Sequence, residues 1–356
     1  MFVFFGFASL TQDGLNDTWA FKPGSDGYTW QNVDSVGADR PPGRGLCSAV
    51  VVQNTAWIFG GIVAINSLDM YSRALQSMSD LWTFDLDNFS WTPIHPQPGQ
   101  LWPKPRGEPA SALVGDRYWV FAGGMLNDDI LTDEVWALDV QTRAWHLLEV
   151  PPGAMPSLYG AVGITLRPGG PRAVLVGGDV GIPGTGIFKE GNFVVISMFL
   201  TGVQADGAPT LRYLGLPVPD YIPRTFSSSG FRALAPLPNG TIFSAFGFQE
   251  DAVNVQQLPT NTLSYATLGC PLGLVSSNFL EQPCVPCPVG MYAPNAAGAT
   301  VCLPCPGDSY TSKAGTVGTT NCTECVPGYC QSGTCFLDAR GSPNWSGWSL
   351  EMIANL

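Results

Sequence analysis

Residues 56–61 read Ala-Trp-Ile-Phe-Gly-Gly, and they are followed by Asp-Leu-Trp-Thr-Phe at 80–84 and by a second tryptophan, Trp91. The same three features recur in the same order elsewhere, at 2–7, 16–21 and Trp30, and at 118–124, 134–138 and Trp145. Two degenerate units follow: one keeps the diglycine Gly177-Gly178, and the other, at 242–248, keeps a single glycine. Recurrence of one pattern along the chain predicts a repeat architecture.

Each unit has the pattern of a four-stranded antiparallel blade. Side chains alternate between the two faces of a strand, which predicts that Trp82 and Trp136 are buried between neighbouring blades. The diglycines Gly60-Gly61 and Gly123-Gly124 are predicted to end an inner strand, where a Cβ atom would obstruct a close turn. The two tryptophans of a unit are 11, 9 and 9 residues apart, which suits two strands and a short turn.

This repeat resembles the kelch family, whose units of about fifty residues carry a diglycine and two spaced aromatic residues. The resemblance covers residues 2 to about 269 and implies an all-β, kelch-type β-propeller. Three arginines that closely follow a proline match the family's first strand: Arg44, Arg106 and Arg224. The resemblance places the five recognisable units at about 2–34, 41–96, 103–150, 151–217 and 221–269.

The first unit shows no opening strand ahead of its apolar run at 2–7. Propellers of this family usually close with six or seven blades, because closure removes open sheet edges. We therefore expect the chain to be a fragment that contains an incomplete six- or seven-bladed ring. A five-bladed ring sealed in another way is the alternative.

Cysteines divide the chain into two unlike parts, since nine of the ten fall between Cys270 and Cys335. They follow a repeated C-x-x-C spacing, at Cys284, Cys287, Cys302, Cys305, Cys322 and Cys325, before Cys330 and Cys335. Such density predicts either disulfides or zinc, and paired C-x-x-C units can form a four-thiolate zinc site. The remaining cysteine, Cys47, is predicted to be a small buried apolar residue rather than a redox thiol.

The repeated Cys-Pro-x-Gly-x-Tyr motif from Cys287, with its variant from Cys305, resembles ephrin-receptor-like and tumour-necrosis-factor-receptor-like extracellular modules. That resemblance favours disulfides over zinc and implies the pairs Cys270–Cys284, Cys287–Cys302 and Cys305–Cys322. The final cysteines resemble the opening of an epidermal-growth-factor-like module, which implies Cys325–Cys335. The predicted domains are therefore the propeller at 1–269, the cysteine-rich modules at 270–325, and a partial module with a tail at 325–356.

The net charge and the N-glycosylation sequons indicate which partners and which cellular compartment to expect. A net charge of -12 with only 16 Lys and Arg residues argues against nucleic acid as a partner. No stretch of the sequence approaches the roughly 20 apolar residues of a membrane span, the best being residues 193–200. Five N-x-S/T sequons agree with a secretory route, at Asn16, Asn88, Asn239, Asn321 and Asn344. We therefore expect an extracellular or cell-surface location.

Catalytic residue patterns are weak in this sequence. Its two histidines, His95 and His146, are predicted to be surface residues, and they do not form the copper-ligand set of a galactose-oxidase-like propeller enzyme. The glycine-rich stretch at 181–186 is interrupted by Pro183, so it predicts a plain turn rather than a dinucleotide site. Acidic residues at Asp128, Asp129 and Asp133 favour a solvated loop over a calcium site. We expect no enzyme activity and no cofactor.

The longest insertion, residues 62–79, has helix-like apolar spacing at Leu68, Tyr71, Leu75 and Met78. Long loops on one end of a propeller are where partners usually bind. The sequence thus predicts a non-enzymatic extracellular recognition or adhesion protein whose loops bind a protein or a glycan. Two alternatives remain open: an intracellular kelch adaptor, and a propeller enzyme whose site lies outside this chain.

Overall fold

The computed structural model describes residues 2–7, 14–24, 27–33, 39–65, 74–127, 130–182, 184–185, 188–189, 195–216, 233–237, 241–245, 248–251, 256–259, 263–270, 274–288, 291–293, 298–304, 309–310, 323–324, 330–331 and 334–335. Regular structure in these residues is all β, with no α-helix among them. The chain divides into two compact units, one of residues 1–238 and 242–266 and one of residues 239–241 and 267–356.

Blade 1 is a three-stranded antiparallel sheet in the order β1-β2-β3. Its strands are β1 (Phe2–Phe7), β2 (Gly14–Gly24) and β3 (Gly27–Asn32). Cross-strand pairs place Val3 opposite Trp19 and Phe21 opposite Trp30. These four side chains therefore share one face of the sheet.

Blades 2 and 3 each have four antiparallel strands, in the orders β4-β5-β8-β9 and β11-β12-β14-β15. Blade 2 and its loop hairpin comprise β4 (Ser48–Val52), β5 (Thr55–Phe59), β6 (Ile62–Ile65), β7 (Ala74–Ser77), β8 (Leu81–Asp85) and β9 (Trp91–Ile94). Blade 3 and its loop strands comprise β10 (Arg106–Gly107), β11 (Ala110–Val114), β12 (Tyr118–Ala122), β13 (Met125–Leu126), β14 (Val135–Asp139) and β15 (Ala144–Leu148).

Blade 4 has the order β17-β18-β21-β22, and blade 5 has the order β23-β24-β27. Blade 4 and its loop strands comprise β16 (Ser157–Tyr159), β17 (Val162–Thr165), β18 (Arg172–Val176), β19 (Asp179–Gly181), β20 (Phe188–Lys189), β21 (Val195–Val203) and β22 (Pro209–Gly215). Blade 5 and its loop strands comprise β23 (Ala233–Pro236), β24 (Thr241–Ala245), β25 (Phe248–Asp251), β26 (Gln256–Pro259) and β27 (Leu263–Thr267).

The helix-like interpretation of the insertion at 62–79 is wrong. Strands β6 and β7 pair as an antiparallel hairpin, with Ala64 opposite Leu75. The spacing of a few apolar residues did not distinguish a helix from a strand, because short apolar patterns occur in both. Leu68 and Tyr71 lie outside the described residues.

Apolar side chains pack between successive blades. Blades 1 and 2 meet through Phe5 and Trp91, whose ring centroids are 5.4 Å apart. Blades 2 and 3 meet through Phe59 and Trp145, at 5.0 Å. Blades 3 and 4 share an aliphatic core that includes Val120, Leu175 and Met198. Burial of apolar side chains between blades therefore stabilises the fold.

The described residues of the second unit form four short hairpins. They are formed by β28 (Leu274–Val275), β29 (Val285–Pro286), β30 (Met291–Tyr292), β31 (Leu303–Pro304), β32 (Ser309–Tyr310), β33 (Thr323–Glu324), β34 (Cys330–Gln331) and β35 (Thr334–Cys335). Its described core is small and includes Val275, Ala293 and Cys287. None of the described residues belongs to a helix of the length and apolarity that a membrane span requires.

Candidate binding face

The predicted diglycines have a common backbone geometry. Their φ angles are all positive: 68° and 96° at Gly60 and Gly61, 69° and 97° at Gly123 and Gly124, and 75° and 80° at Gly177 and Gly178. A Cβ atom on Gly60 would lie 2.7 Å from the Arg106 carbonyl oxygen of the next blade. Glycine is therefore required both by the left-handed conformation and by the close approach of the following blade.

The predicted tryptophans form one pair in each of blades 2 and 3. Trp91, Trp136 and Trp145 are buried, while Trp82 is half-buried. In both blades the two rings meet edge to face with centroids 6.5 Å apart, at interplanar angles of 84° and 81°. Edge-to-face contacts of this kind add to the stabilisation from burial alone.

Two arginines join an inner linker to the tryptophan strand of the same blade. Arg44 bonds both carboxylate oxygens of Asp80, which also accepts a bond of 2.7 Å from Trp82 Nε1. We call this arrangement of arginine, acid and tryptophan the arginine clasp. Arg44 Nη1 also donates to the Gly60 carbonyl at 2.9 Å.

Blade 3 contains a second arginine clasp with a different acid. Arg106 Nη2 lies 2.7 Å from Glu134 Oε2, which accepts a bond of 2.9 Å from Trp136 Nε1. Arg106 Nη1 donates to the Gly123 carbonyl at 3.2 Å. The sequence predicted the arginine positions but not their partners, although an acid two residues before each tryptophan was a usable signal.

The linkers that carry the clasp arginines also hold consecutive blades together through backbone bonds. Gly6 N–H donates to the Arg44 carbonyl at 2.9 Å, and Gly61 N–H donates to the Arg106 carbonyl at 3.1 Å. Gly124 N–H makes the corresponding bond of 2.7 Å to Leu158. Each clasp arginine therefore bonds the preceding blade through its backbone and its own blade through its side chain.

The charges in the clasps shift the pKa values of their acids. Burial raises the pKa of Asp80, but the hydrogen bond and charge of Arg44 outweigh it and hold the pKa below 3.8. Burial likewise raises the pKa of Glu134, and bonds from Trp136 and Arg106 outweigh it, leaving the pKa below 4.5. Both carboxyls are therefore ionised at neutral pH.

Loops at one end of blades 2, 3 and 4 are joined directly to each other. We call this surface the loop face and define it as residues 62–65, 74–77, 125–127, 130–132, 179–182 and 184–185. Ser77 N–H donates to Asn127 Oδ1 at 2.8 Å and its hydroxyl to the Met125 carbonyl at 3.1 Å, which joins blades 2 and 3. Leu131 and residues 184–185 exchange backbone bonds of 2.8 and 2.9 Å, which joins blades 3 and 4.

The same loops are also bonded to the linkers that enter each blade. Gly45 and Ile62 exchange two backbone bonds, of 2.8 and 3.0 Å. Strand β10 pairs with β13, and β16 pairs with β19. The loops are thus bonded both to loops of the neighbouring blades and to the linkers of the blades. These bonds hold the loop face in one arrangement before any partner binds, which reduces the entropy lost on binding.

A separate cavity of about 530 Å³ lies at the other end of the blades. Its lining comes from the ends of inner strands and their turns, including Val52, Leu113 and Thr165, with Asp116 and Gln141 as polar groups. The described residues contain no cluster of metal-ligating side chains. Asp133 is exposed, and Asp128 and Asp129 lie outside the described residues.

Four of the predicted disulfide cysteines are described and paired in the second unit. Cys270 is bonded to Cys284, and Cys287 to Cys302. No side chain is described for the other four predicted disulfide cysteines: Cys305, Cys322, Cys325 and Cys335. Their predicted pairs stay predictions.

Two of the five sequons are described. Asn88 is exposed in the β8–β9 turn, and Asn16 is half-buried within β2. The other three, at Asn239, Asn321 and Asn344, lie outside the described residues. His95 is exposed after β9, as predicted, whereas His146 on the outer strand β15 is half-buried with its Nε2 atom buried. Arg224 lies outside the described residues.

Comparison with known families decides the nature of the repeat. Residues 1–178 match the family model described as the KLHDC2/KLHL20/DRC7 Kelch-repeats domain. The chain belongs to the kelch-repeat family. Residues 275–325 of this kelch-repeat chain match a second model, described as tyrosine-protein kinase ephrin type A/B receptor-like. Both matches confirm resemblances predicted from the sequence, whereas the tumour-necrosis-factor-receptor-like and epidermal-growth-factor-like resemblances stay predictions.

Individual relatives match parts of the kelch-repeat chain. An F-box/kelch-repeat protein of Arabidopsis thaliana is 29% identical over 39% of this chain and 28% of its own length. Kelch domain-containing protein 1 of Mus musculus is 29% identical over 37% of this chain and 30% of its own length. A mouse sushi, von Willebrand factor type A, EGF and pentraxin domain-containing protein is 34% identical over 28% of this chain and 3% of its own length. The chain thus spans less than a third of each of these relatives.

A solved structure supports the fold. The structure of YjhT superposes with a TM-score of 0.50 and 12% sequence identity, covering 86% of this chain and 90% of that chain. At this identity the likeness concerns the fold alone. The predicted fold class, an all-β kelch-type β-propeller followed by a disulfide-containing segment, is confirmed.

Proposed function

We propose that this kelch-repeat chain is a non-enzymatic recognition protein of the secretory pathway that binds a protein partner on its loop face. The observation that carries the proposal is the set of loop-to-loop bonds, Ser77 to Asn127 and Leu131 to residues 184–185. They fix the loops of three blades relative to each other, and the described loop residues contain no cluster of metal-ligating side chains. A surface held in this way suits binding better than chemistry.

Side chains of the loop face fit a protein partner. Ile182 is 39% exposed, Gln76 and Asn127 are exposed, and Met125 and Leu126 are half-buried. Mixed apolar and amide groups of this kind are typical of protein interfaces, which combine apolar contact with a limited number of hydrogen bonds. A glycan partner stays a second possibility for the same surface, because asparagine and glutamine also bond sugar hydroxyls.

The disulfides favour the extracellular proposal over an intracellular adaptor. Cys270–Cys284 and Cys287–Cys302 close loops of 14 and 15 residues in sequence separation. Such bonds persist in oxidising compartments and are reduced in the cytosol. Peptide mapping of the secreted protein without reduction tests this: both linked peptides are expected. Free thiols at these four positions would contradict the location and favour the adaptor.

Site-specific photo-crosslinking tests the loop face itself. A photo-reactive residue in place of Ile182 lies on the loop face, and one in place of Leu147 lies on the outer strand of blade 3, where Leu147 is 51% exposed. On cells that display the partner, we expect a discrete protein adduct from the Ile182 position and none from Leu147. Equal adducts from both positions would overturn the proposed face, and an adduct that glycosidases remove would identify a glycan.

A further inference from the structure

Four consecutive blades together build the cavity that lies at the end opposite the loop face. The inner strands β4, β11, β17 and β23 lie beside one another in that order. Where these strands end, residues from all four blades line a cavity of about 530 Å³, which we call the strand-end cavity. This volume lies in the range of pockets that hold a small organic molecule.

Most residues that line the strand-end cavity are apolar. Val50, Val52 and Leu113 line it and also pack in the aromatic core between blades 2 and 3. Pro168 and Pro236 line it from blades 4 and 5. Valine has restricted side-chain rotation and the proline ring fixes its φ angle, so these residues form firm apolar walls. Such walls favour an apolar ligand body, because its burial removes apolar surface from water.

Bonds between blades 3 and 4 hold two sides of the strand-end cavity in place. Thr165 Oγ1 donates to the Leu113 carbonyl oxygen at 2.6 Å, and both residues line the cavity. Beside them, Gly115 N–H donates to the Gly170 carbonyl oxygen at 2.9 Å. A site whose walls are already bonded to each other loses less conformational entropy when a ligand binds.

Asp116 contributes the charge of the lining. Among the described residues it forms no ion pair, and the neighbouring Arg117 instead bonds Asp139, with Nη2 2.7 Å from Oδ2. A Cβ atom on Gly169 would lie 2.8 Å from Asp116 Oδ2, so the carboxylate lies directly against the turn of blade 4. The Asp116 side chain is exposed, and its carboxylate can bond a cation that enters the cavity.

The other polar groups of the lining carry no charge. They are the side chains of Gln53, Gln141 and Thr165, and none of the described lining residues is a lysine or an arginine. The whole chain has a net charge of -12, which attracts cations and repels anions. Both the lining and the net charge therefore favour a positively charged ligand over a negatively charged one.

We propose that the strand-end cavity binds a small organic ammonium compound, with its apolar body against Val52 and Leu113 and its ammonium group at Asp116. A ligand of this class satisfies both parts of the lining, whereas an anion or a purely apolar compound satisfies only the apolar part. The site is separate from the loop face, so a ligand here does not occupy the surface proposed for the protein partner.

Phenylbutylamine is a probe that combines an apolar ring with an ammonium group. Three related compounds each change one feature: phenylbutanol has no charge, butylamine has no ring, and phenylbutyrate has the opposite charge. Ligand-observed NMR titrations with the full chain are expected to show saturable binding of phenylbutylamine. Each of the other three compounds is expected to bind at least about threefold more weakly, the range of one exposed charge pair or one small apolar contact.

Charge variants locate the ammonium group. Asp116→Asn is expected to weaken binding of phenylbutylamine by about threefold to tenfold and to leave phenylbutanol unaffected, because an exposed acid contributes less than a buried one. Asp87→Asn removes an exposed acid from a turn of blade 2 and should leave both affinities unchanged. Equal losses in the two variants would reduce the effect to net charge and overturn the proposal.

A size variant locates the apolar body. Pro168 is an exposed lining residue, so Pro168→Trp adds a large ring at the strand-end cavity and should weaken binding of both phenylbutylamine and phenylbutanol. Pro152→Trp, at an exposed position between β15 and β16, is the matched control and should leave both affinities unchanged. Urea unfolding of the two variants checks that each is folded, and Asp116→Asn carries the test if Pro168→Trp is not.

Hydrogen exchange of the full chain shows where the probe binds. With phenylbutylamine bound, we expect new protection of amides in residues 50–53 and 113–117, at the ends of β4 and β11. Protection confined to other segments would overturn the proposed site. Absence of saturable binding by phenylbutylamine, or equal affinity for phenylbutyrate, would overturn the proposed ligand class.

Discussion

Arg44 and Asp80 form a bidentate ion pair within blade 2, with Nη1 2.5 Å from Oδ1 and Nη2 2.7 Å from Oδ2. The arginine side chain is fully buried, whereas the aspartate side chain keeps 31% of its exposure. Removing a guanidinium from water costs on the order of several kcal/mol, which the carboxylate and the Gly60 carbonyl offset. The acid is therefore a condition for burying the arginine.

This asymmetry predicts unequal effects of removing the two partners. Asp80→Asn leaves a buried cation without its counter-charge and is expected to lower the free energy of unfolding by about 3 kcal/mol. Arg44→Met should cost less, because the remaining carboxylate is partly hydrated. Urea unfolding of both variants measures the difference. Asp87→Asn, an exposed acid in a turn, serves as control and should stay within about 0.5 kcal/mol of the wild type; a larger loss in Arg44→Met than in Asp80→Asn would contradict the argument.

Acid should weaken the clasps. The pKa values of Asp80 and Glu134 are lowered below 3.8 and 4.5 on folding, so their contribution is complete above those values and is lost as the pH falls through the lower folded pKa values. We expect the urea midpoint of the wild type to fall steeply below about pH 4. The double variant Asp80→Asn, Glu134→Gln starts from lower stability but should show a shallower dependence over the same range. Equal slopes would show that the clasps do not contribute.

A diglycine substitution separates torsional strain from steric overlap. Gly60→Ala combines a φ of 68° with a Cβ atom 2.7 Å from the Arg106 carbonyl, and we expect a loss of about 2–4 kcal/mol. Gly153 has a φ of 77°, but a Cβ atom on it would have no neighbour within 4 Å, so Gly153→Ala should lose only about 1 kcal/mol. Comparison of the two unfolding free energies isolates the inter-blade contact. Similar losses would mean that the segment of blade 3 around Arg106 moves to make room for the added Cβ atom.

Local rules made most of the fold predictable. Alternation of apolar residues identified the strands, and the need for a close turn without a Cβ atom identified Gly60 and Gly123 from the sequence alone. The pairing of Trp82 with Trp91 followed from a spacing that fits two strands and a turn. These features depend on neighbours close in sequence, which is why a single repeat unit reveals them.

Features that depend on register between distant segments were not predictable. Arg44 and Asp80 are 36 residues apart, and only the arrangement of the strands brings them together. The β6–β7 hairpin was not predicted because helix-like apolar spacing within the insertion did not reveal the pairing of residues 62–65 with residues 74–77. Bonds between loops of different blades, such as Ser77 to Asn127, leave no pattern in either segment. The sequence therefore predicted the insertion at 62–79 as a binding element, but not the residues of blades 3 and 4 that lie beside it.

Cys47 gives a prediction about reactivity. The residue is partly exposed, yet burial of its thiol raises the pKa from 9.0 to about 11, an effect that the charge of Arg44 only partly offsets. At pH 8 the thiolate population should be about 100-fold lower than that of a thiol with a pKa of 9, so alkylation should be slow by a similar factor. The rate should rise about tenfold per pH unit up to pH 11.

Site-resolved mass spectrometry of the iodoacetamide adduct at Cys47 measures this rate in the folded chain and in the same chain unfolded in urea. Unfolding removes the burial that raises the pKa of the thiol, so the unfolded chain should react much faster at pH 8. Equal rates in the two states would show that the thiol is open to solvent in the fold. A slow rate independent of pH would instead mean that local opening of the segment between Arg44 and β4, rather than thiolate formation, limits the reaction.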